Sequence, residues 1–441
     1  MIDASATGAP THVVETGDTA YYFAHIPKTA GTSFIAVLDR VCAVEKICPA
    51  QLWREMATLN PQQLQQYRLF RGHLGGYGLD SLIKRPIKRM TMLRQPVARA
   101  VSTYHFIRRE PGSRVHQYVM DNELSLGDFA NDAVTAEKIE NAHVRQLAFS
   151  LTDNADRDLW VSDASVAAID RWMDHYREPL NGEARLNRAR GFLRDCFFFG
   201  LCERFADSMD LFAFRFGLPP IGQAQPHRVS RPTMNLDAST RQRLEQLTDL
   251  DHDLYHYGSQ LFEQRLAEMD DSLGPWRRRS DRGRTMALQR RFAAGNPGNV
   301  WSVPGRYRFA APLYGRGWQQ RERKLPEGDW FRWTGPEAKA SLWFNAITAN
   351  DTWVLKFRTV DQVAPGSLDH LRVTVNGHPI EVIADHDKDA VRVYRGEVAP
   401  GVVHKGLNRL TFEVEQAAPR PDDDRLVGIA IHWVEMGLAT N

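Results

Sequence analysis

The chain has 441 residues, more than one ordinary hydrophobic core accommodates, so two domains are expected. Its 56 lysines and arginines nearly balance its 54 aspartates and glutamates, so net charge does not favour a nucleic-acid-binding protein, and any basic site must be local. Its 4 cysteines do not suffice for a disulfide framework, and their spacing fits no common metal motif, so buried free thiols are expected.

The N-terminal segment 1–18 is polar and lacks the apolar core of a signal peptide, so it is expected to be a flexible tail. No stretch of the chain approaches the roughly 18 apolar residues that cross a bilayer. The sequence therefore predicts no transmembrane segment.

Residues 21–34 predict a strand, a tight turn and a helix in succession. The apolar and aromatic run 21–26 is typical of a buried strand, and Pro27 ends it because proline cannot donate to a sheet ladder. Apolar positions at helical spacing follow from Phe34. Backbone N–H groups and the positive end of the helix dipole converge on such a turn, and Lys28 adds a point charge. The turn therefore predicts a phosphate-binding loop, composed of Lys28, Thr29, Ala30, Gly31, Thr32 and Ser33.

This loop differs from the Walker loop of nucleotide triphosphatases. The Walker pattern places its lysine after the last glycine, at the entrance of the helix. Here Lys28 directly follows the strand and Gly31 comes after it. The order of the residues therefore argues against a Walker site.

A second glycine-rich loop carries a histidine. The apolar residues at 69–70 lead into Arg71-Gly72-His73-Leu74-Gly75-Gly76, where the glycines permit the close approach of a ligand. A hydroxyl nucleophile must lose its proton as it attacks, and imidazole, with a reference pKa of about 6.5, suits that task near neutral pH. His73 is therefore predicted to be a general base. The alternative is a histidine that only forms a hydrogen bond within the turn.

A second phosphate signal occupies residues 88–106. The strand-like run 90–93 ends at Arg94, and a helix with an apolar stripe follows. Arg94 and Ser102 are predicted to face one ligand, since the planar fork of arginine suits a phosphate dianion. The alternative is a surface helix after an edge strand, and Arg99 is expected on a solvated face of that helix.

Together these motifs resemble those of carbohydrate sulfotransferases that use 3′-phosphoadenosine-5′-phosphosulfate (PAPS), a group that includes the heparan sulfate 2-O-sulfotransferases. The resemblance rests on His-Ile-Pro-Lys-Thr-Ala-Gly-Thr-Ser-Phe at 25–34, on the Gly-His pair at 72–73, and on Leu-Arg-x-Pro at 93–96 with a serine eight residues after the arginine. Two departures are Arg71, where many relatives have a second histidine, and Gln95, where the family usually has aspartate.

The resemblance implies an α/β fold, with a P-loop-like parallel sheet flanked by helices, and implies PAPS as donor with PAP as product. It implies that residues 28–33 hold the 5′-phosphosulfate, that Arg94 and Ser102 hold the 3′-phosphate, and that His73 is the catalytic base. Lys28 would stabilise the charge that develops on the leaving phosphate. No metal is expected.

Looser similarities suggest further ligand contacts. Residues 139–147 resemble a family helix near the substrate cleft, and a basic loop at 227–232 resembles one that closes over the nucleotide. The resulting candidates are Arg71, Asn141, Arg145 and Gln146 for the acceptor, and Arg228 and Arg231 for the nucleotide. Asp251, His252 and Asp253 are adjacent on a predicted helix and do not converge on one face, so a solvated face is expected there rather than a metal site.

The C-terminal part has a different composition. Residues 276–291 contain seven arginines and one aspartate, and predict a basic linker. From residue 300, short strand-like runs alternate with turns such as Asn376-Gly377, which predicts an all-β, jelly-roll-like sandwich. Its pattern, with Trp-Thr-Gly-Pro at 333–336 and Val-Asn-Gly at 375–377, resembles β-sandwich modules appended to bacterial glycan-modifying enzymes, and this resemblance implies a candidate carbohydrate-binding module. At least two of its tryptophans are expected in the core and others on a sugar-stacking surface, the candidates being Trp318, Trp330, Trp333 and Trp343. The predicted domains are a tail at 1–18, a sulfotransferase domain at 19–270, a linker at 271–299 and the sandwich at 300–441.

The expected activity is transfer of a sulfuryl group from PAPS to a hydroxyl of an oligo- or polysaccharide, either free or lipid-linked. Two alternatives stay open: a P-loop-type nucleotide kinase or phosphotransferase, and a non-catalytic glycan-binding protein. Eukaryotic relatives in this family are anchored in the Golgi, so the lack of an anchor predicts a cytoplasmic, bacterial enzyme. No nucleic-acid partner is expected, and the acceptor sugar and the oligomeric state stay open.

Overall fold

A computed structural model describes most of the chain. The described residues are 18–152, 155, 159–160, 165–221, 236–274, 281–295, 300–323, 328–349, 351–388, 391–420 and 423–439. Only the backbone is described at 281–282, 385–388 and 423–424. The predicted nucleotide contacts Arg228 and Arg231 lie outside the described residues, as does almost all of the predicted tail.

The first part of the chain alternates strands and helices. Its strands are β1 (Ala20–Ala24), β2 (Leu69–Gly72), β3 (Ile87–Leu93) and β4 (Phe198–Leu201). Its helices are α1 (Gly31–Leu38), α2 (Trp53–Met56), α3 (Pro61–Leu64), α4 (Pro96–Arg109), α5 (His116–Asp121), α6 (Leu126–Asn131), α7 (Ala133–Ala136), α8 (Ala142–Ala148), α9 (Val166–Tyr176), α10 (Gly182–Asp195), α11 (Phe205–Phe216), α12 (Ala238–Leu247), α13 (Asp249–Leu273) and α14 (Asp281–Gly295).

The four strands form a parallel sheet in the order β2-β1-β3-β4. All residues of β1 are buried, as expected for a central strand of a parallel sheet that helices cover on both faces. This confirms the prediction of an α/β fold with a parallel sheet flanked by helices. Because the strands are parallel, the segments after β1, β2 and β3 leave the sheet at the same edge.

Helix α1 is anchored on this sheet by an aromatic cluster. The ring of Phe34 is completely buried, and its centroid lies 4.9 Å from that of Phe23, 5.3 Å from that of Phe198 and 5.1 Å from that of Phe212. Edge-to-face and offset contacts of this kind stabilise beyond the area they bury. The helix that follows the predicted phosphate loop is therefore held in one orientation.

From Trp301 onward the chain is almost entirely β-structure. Its strands are β5 (Trp301–Val303), β6 (Gly305–Arg308), β7 (Gly315–Arg316), β8 (Trp318–Glu322), β9 (Phe331–Thr334), β10 (Lys339–Ala346), β11 (Trp353–Gln362), β12 (Arg372–Val375), β13 (His378–Ile380), β14 (Ile383–Lys388), β15 (Val391–Val398), β16 (Gly406–Glu413), β17 (Ala418–Arg420), β18 (Asp423–Val427) and β19 (Ile429–Leu438).

Most of these strands form two mainly antiparallel sheets, and β17 and β18 pair with each other as a separate two-stranded sheet. One has the order β13-β12-β16-β10-β5, with β7 beside β10, and the other has the order β14-β15-β11-β19-β9-β8, with β6 beside β19. Burial alternates along β10 and β11, so one face of each sheet points into a shared core. The prediction of antiparallel β-structure is confirmed. Trp318 and Trp333 are buried, which agrees with the expectation of at least two core tryptophans.

The arginine-rich segment contains the helix α14, which packs on the first domain. Leu288 and Phe292 are buried, Arg284 forms an ion pair with Asp207, and the guanidinium of Arg291 lies 3.9 Å from the ring centroid of Phe214 on α11. At least this part of the segment is therefore packed helix. The proposed domain boundaries stay a prediction.

All four cysteines are free thiols, and three of them are buried, as expected. None of the helices in the described ranges combines the length and the apolar character needed to cross a membrane.

Candidate active site

The turn between β1 and α1 has left-handed backbone angles and an N-cap residue without a side-chain hydrogen bond. Lys28 and Ala30 adopt left-handed backbone angles, with φ of 72° and 63°. The hydroxyl of Thr29 donates to the carbonyl of Ile26 at 2.8 Å, so this side chain shapes the turn. Ala30 occupies the N-cap and provides no side-chain cap for α1. The first N–H groups of the helix therefore face the space in front of it, where an anion would be stabilised.

Of the predicted phosphate ligands, Lys28 and Arg94 contact each other beside this turn, and Ser102 lies on the same face of the following helix as Phe106, which Lys28 contacts. Nη1 of Arg94 donates to the carbonyl of Lys28 at 3.1 Å. The Lys28 ammonium lies 4.3 Å from the ring centroid of Phe106, which is one helical turn beyond Ser102 on α4. The cause is topological, because β1 and β3 are neighbours and their C-terminal ends lie side by side.

Gln95 takes over a structural role where the family usually has aspartate. Its side-chain oxygen accepts from the N–H of Ala98 at 2.6 Å and thereby caps α4. Its own backbone N–H donates to the Glu203 carboxylate at 2.9 Å. The departure from the family pattern leaves the helix start intact.

His73 has the hydrogen bonding that a general base requires. Its Nδ1 lies 2.7 Å from the carbonyl oxygen of His25, which can only accept, so Nδ1 carries the proton and the lone pair of the neutral ring is on Nε2. Burial lowers the pKa of His73, although the His25 carbonyl and the charge of Glu55 partly offset this effect. At neutral pH the ring is therefore an unprotonated base.

His25 lies between His73 and the predicted phosphate loop, a placement that the sequence did not reveal. Its ring stacks on that of His73 with centroids 4.4 Å apart, and a Cβ at Gly31 would lie 1.9 Å from its Nε2. Its Nδ1 is buried without a partner among the described residues. Burial, His73 and Lys28 together lower the pKa of His25 well below its usual value, so the ring is neutral. The available signal was its position directly after a buried strand.

The glycines after His73 let this loop pack closely on α8. Gly75 has φ of 79°, and a Cβ there would lie 2.1 Å from Cδ1 of Phe149. The N–H of Gly76 donates to the carbonyl of Gln146 at 2.8 Å. Nε2 of Gln146 is buried and has no partner among the described residues. Of the predicted acceptor contacts, Gln146 therefore lies next to the loop that carries His73.

The other predicted acceptor contacts make structural interactions. Nε of Arg71 donates to the Asp39 carboxylate at 2.8 Å. Asp39 follows the C-terminal end of α1, and the eight-residue helix separates it by about 12 Å from the predicted phosphate loop. Nδ2 of Asn141 donates to the Asp249 carboxylate at 2.9 Å, which joins α8 to α13. Arg145 is half-buried. The acceptor roles of these three residues stay predictions.

Asp251 was expected on a solvated face, and this expectation is wrong. Its side chain is completely buried and accepts from the N–H of His143 at 3.1 Å, the N–H of Val144 at 2.9 Å and Nδ1 of His143 at 2.9 Å. Nε2 of His143 in turn accepts from the N–H of Arg94 at 3.4 Å. Helical spacing alone could not reveal this arrangement, because the partner of Asp251 lies more than a hundred residues away.

Arg99 was also expected to be solvated and is buried beside this pair. Its Nη2 donates to the carbonyl of Ile139 at 2.9 Å. Burial alone would raise the pKa of Asp251, but His143, Arg99 and the N–H of Val144 hold it below its ordinary value. Within the described ranges, no group of three or more His, Cys, Asp and Glu side chains is arranged to hold a metal ion. The cluster therefore supports the Arg94 backbone through a buried histidine and a carboxylate.

Asp251→Asn tests this support. The amide keeps the shape but turns one acceptor oxygen into a donor that faces N–H groups, so we expect a loss of about 3 kcal/mol in the free energy of unfolding. The measurement is chemical or thermal unfolding. Asp253→Asn, two residues away on the exposed face, is the matched control and is expected to change stability by less than about 0.5 kcal/mol. Equal effects of the two variants would contradict the structural role of Asp251.

No protein-family model matches the chain. Heparan-sulfate 6-O-sulfotransferase 2 of Gallus gallus is 24% identical over 280 residues, which are 57% of this chain and 69% of the relative. Heparan-sulfate 6-O-sulfotransferase 1-B of Danio rerio is 25% identical over 275 residues, 56% of this chain and 67% of the relative. Heparan-sulfate 6-O-sulfotransferase 3 of Homo sapiens is 24% identical over 271 residues, which are 55% of this chain and 57% of the relative.

Solved structures give much weaker similarities. Mouse sulfotransferase SULT7A1 complexed with PAP is 15% identical and covers 62% of this chain and 88% of its own, with a TM-score of 0.17. A family 35 carbohydrate binding module from Clostridium thermocellum is 15% identical and covers 29% of this chain and 93% of its own, with a TM-score of 0.20. TM-scores this low do not establish a shared fold.

The curated relatives are 6-O- rather than 2-O-sulfotransferases, which corrects this detail of the resemblance found in the sequence. The sulfotransferase family itself is supported. The chain is a distant homologue of the heparan-sulfate 6-O-sulfotransferases, with about a quarter of the residues identical over a little more than half of its length.

Proposed function

We propose that this protein transfers a sulfuryl group from PAPS to a hydroxyl of a carbohydrate. The observation that carries the proposal is that the turn after β1, His73 after β2 and Arg94 after β3 leave one edge of the parallel sheet. Ligands of open parallel sheets bind outside this carboxyl edge. The sulfotransferase relatives support the choice of donor.

The residues beside the turn suit the two anionic groups of PAPS. Uncapped N–H groups of α1 and the ammonium of Lys28 fit the 5′-phosphosulfate, and Arg94 with Ser102 fits the 3′-phosphate. When bound, PAPS supplies the sulfuryl group and leaves as PAP. Lys28 would stabilise charge on the departing phosphate.

His73 would remove the proton of the attacking hydroxyl. Its Nε2 carries the lone pair, and the His25 carbonyl that holds Nδ1–H also stabilises the imidazolium that forms. The remainder of catalysis is orientation and charge stabilisation, as in phosphoryl transfer, since both reactions are in-line displacements at a highly charged group.

The acceptor is proposed from the relatives. Their name specifies the 6-O position of heparan sulfate, so the first acceptors to assay with labelled PAPS are glycosaminoglycans with a free 6-hydroxyl, followed by those with only a free 2-hydroxyl. The cytoplasmic, bacterial setting stays a prediction, and so does carbohydrate binding by the sandwich.

Two rival functions predict different observations. A nucleotide kinase would bind ATP and would be expected to carry a carboxylate for magnesium after a later strand, whereas Arg94 follows β3. A non-catalytic glycan-binding protein would not bind PAP. Binding of PAP and ATP therefore separates all three proposals.

His73→Ala should reduce the rate of sulfuryl transfer about 10²–10⁴-fold, because no group then accepts the hydroxyl proton. PAP binding should persist, since the phosphate loop is unaltered, and calorimetry measures it. His256→Ala, which removes an exposed histidine, is the control. Near-normal turnover in His73→Ala would place the base elsewhere.

The dependence of kcat/KM on pH should report a lowered pKa of His73. Burial favours the neutral ring, and a general base works unprotonated, so activity is present above the lowered pKa and is lost as pH falls through it. We expect kcat/KM to stay constant as pH decreases to about 6.5, which is the ordinary pKa of histidine. It should fall only at lower pH, where His73 becomes protonated. A profile that already declines above this pH would contradict the assignment.

Arg94→Ala should weaken PAP binding about ten- to a hundredfold, the value of one or two charge-assisted hydrogen bonds. The KM for PAPS should rise far more than the KM for the acceptor. Arg109→Ala, an exposed arginine at the end of α4, is the control. Calorimetry with PAP and ATP side by side provides the measurement, and equal effects on both KM values would count against the role of Arg94.

A further inference from the structure

The main chain that follows α1 in the sequence is hydrogen-bonded to the β-sandwich. The N–H of Leu313 donates to the carbonyl of Arg40 at 2.7 Å, and the N–H of Val44 donates to the carbonyl of Ala310 at 3.0 Å. The helix that begins at the phosphate loop therefore ends inside the contact between the two domains.

Two arginines of the sandwich hold the C-terminal end of α1. Arg321 of β8 donates to the carbonyls of Asp39 and Cys42, the latter at 2.7 Å, and Arg332 of β9 lies 3.4 Å from the carbonyl of Asp39. Arg332 is completely buried. Carbonyl groups at this end of a helix lack partners within the helix and carry the negative end of its dipole, so guanidinium groups are well suited to them.

The same residue of α1 also contacts the strand that leads to the base. The Asp39 carboxylate accepts from Nε of Arg71 at 2.8 Å, and Arg71 lies on β2, two residues before His73. Asp39 thus uses its carbonyl for the sandwich and its carboxylate for β2. Both catalytic loops are connected to the sandwich through this position.

The contact between the domains extends beyond this point. Tyr314 stacks on Phe292 of α14 with ring centroids 5.7 Å apart, and Nε of Arg316 donates to the carbonyl of Pro220 at 3.1 Å. Trp343 and Leu407 pack against the core of the first domain. The sandwich therefore packs directly against the first domain through these side chains.

We propose that the β-sandwich positions the active site, with Arg321 and Arg332 as positioning residues that act through Asp39. The face of helix α1 that carries Phe34 is packed against buried aromatic rings, so a displacement of the C-terminal end is expected to reach the loop at the start of this short helix. The Asp39–Arg71 pair does the same for β2 and His73. This inference rests on the proposed sulfotransferase function.

Arg321→Met tests the inference, since methionine keeps much of the apolar stem and loses the guanidinium. We expect PAP affinity to fall about tenfold, hydrogen exchange of amides 28–38 to accelerate, and the KM for the acceptor to change least. Arg321→Lys should restore part of the affinity because it keeps the charge. The matched control is Arg308→Met on strand β6 of the same sheet, an exposed arginine paired with Asp329, which should leave all three values unchanged.

Asp39→Asn provides a second test that leaves the backbone carbonyl in place. It weakens only the pair with Arg71, so we expect kcat to fall while PAP affinity stays as in the wild type. If Arg321→Met does not fold, this variant together with Arg332→Met decides the matter by the same measurements.

The inference is overturned if these variants are folded and bind PAP, turn over and exchange amides at 28–38 like the wild type. Failure of the wild-type protein itself to bind PAP would instead contradict the proposed function. The two failures are therefore distinguishable in one set of calorimetric titrations.

Discussion

The unpaired backbone groups at the two ends of α1 are the constraint on which the rest of the structure depends. A short helix leaves its first N–H groups and its last carbonyls without partners, and each must find one. At the start, no side chain caps the helix, and the N–H groups face the space beside Lys28 and Arg94. Just beyond the end, the carbonyl of the C-cap residue Asp39 accepts from Arg321 and Arg332 of the sandwich. The proposed anion site therefore lies at the start of α1, and the contact with the sandwich lies just beyond its end.

The buried carboxylate of Asp251, close to the Arg94 backbone, shows the same need for hydrogen-bond partners. A carboxylate inside a protein is tolerated only when its acceptor capacity is filled. Asp251 meets this condition with three N–H donors from the start of α8, and the histidine among them continues to the backbone of Arg94. The helix near the predicted acceptor cleft and the predicted 3′-phosphate site are thus joined by hydrogen bonds. A substitution in α8 is therefore expected to alter the position of the Arg94 backbone, and a substitution at Arg94 to alter α8.

Much of the fold and the centre of the site could be predicted from local patterns. The strand–turn–helix at 21–34, the strand before Arg94 and the alternating strands after residue 300 all depend on contacts between near neighbours, which periodicity and turn chemistry report. Predictions about solvation were less successful. Arg99 and Asp251 both look like residues of a polar helix face, yet both are buried, because their partners come from other helices.

What the sequence by itself determined is the set of candidate groups for chemistry: a predicted phosphate loop with lysine first, a histidine in a glycine-rich loop, and an arginine at a strand end. Each can be recognised because its motif consists of a few consecutive residues. Only the tertiary structure decided which of them meet, that His25 lies between the loop and the base, and that Arg71 turns away toward Asp39. It also decided that the sandwich holds the end of α1, since a contact between residues 39 and 321 has no local signature. Such contacts follow from packing two domains together, and no spacing along the chain encodes them.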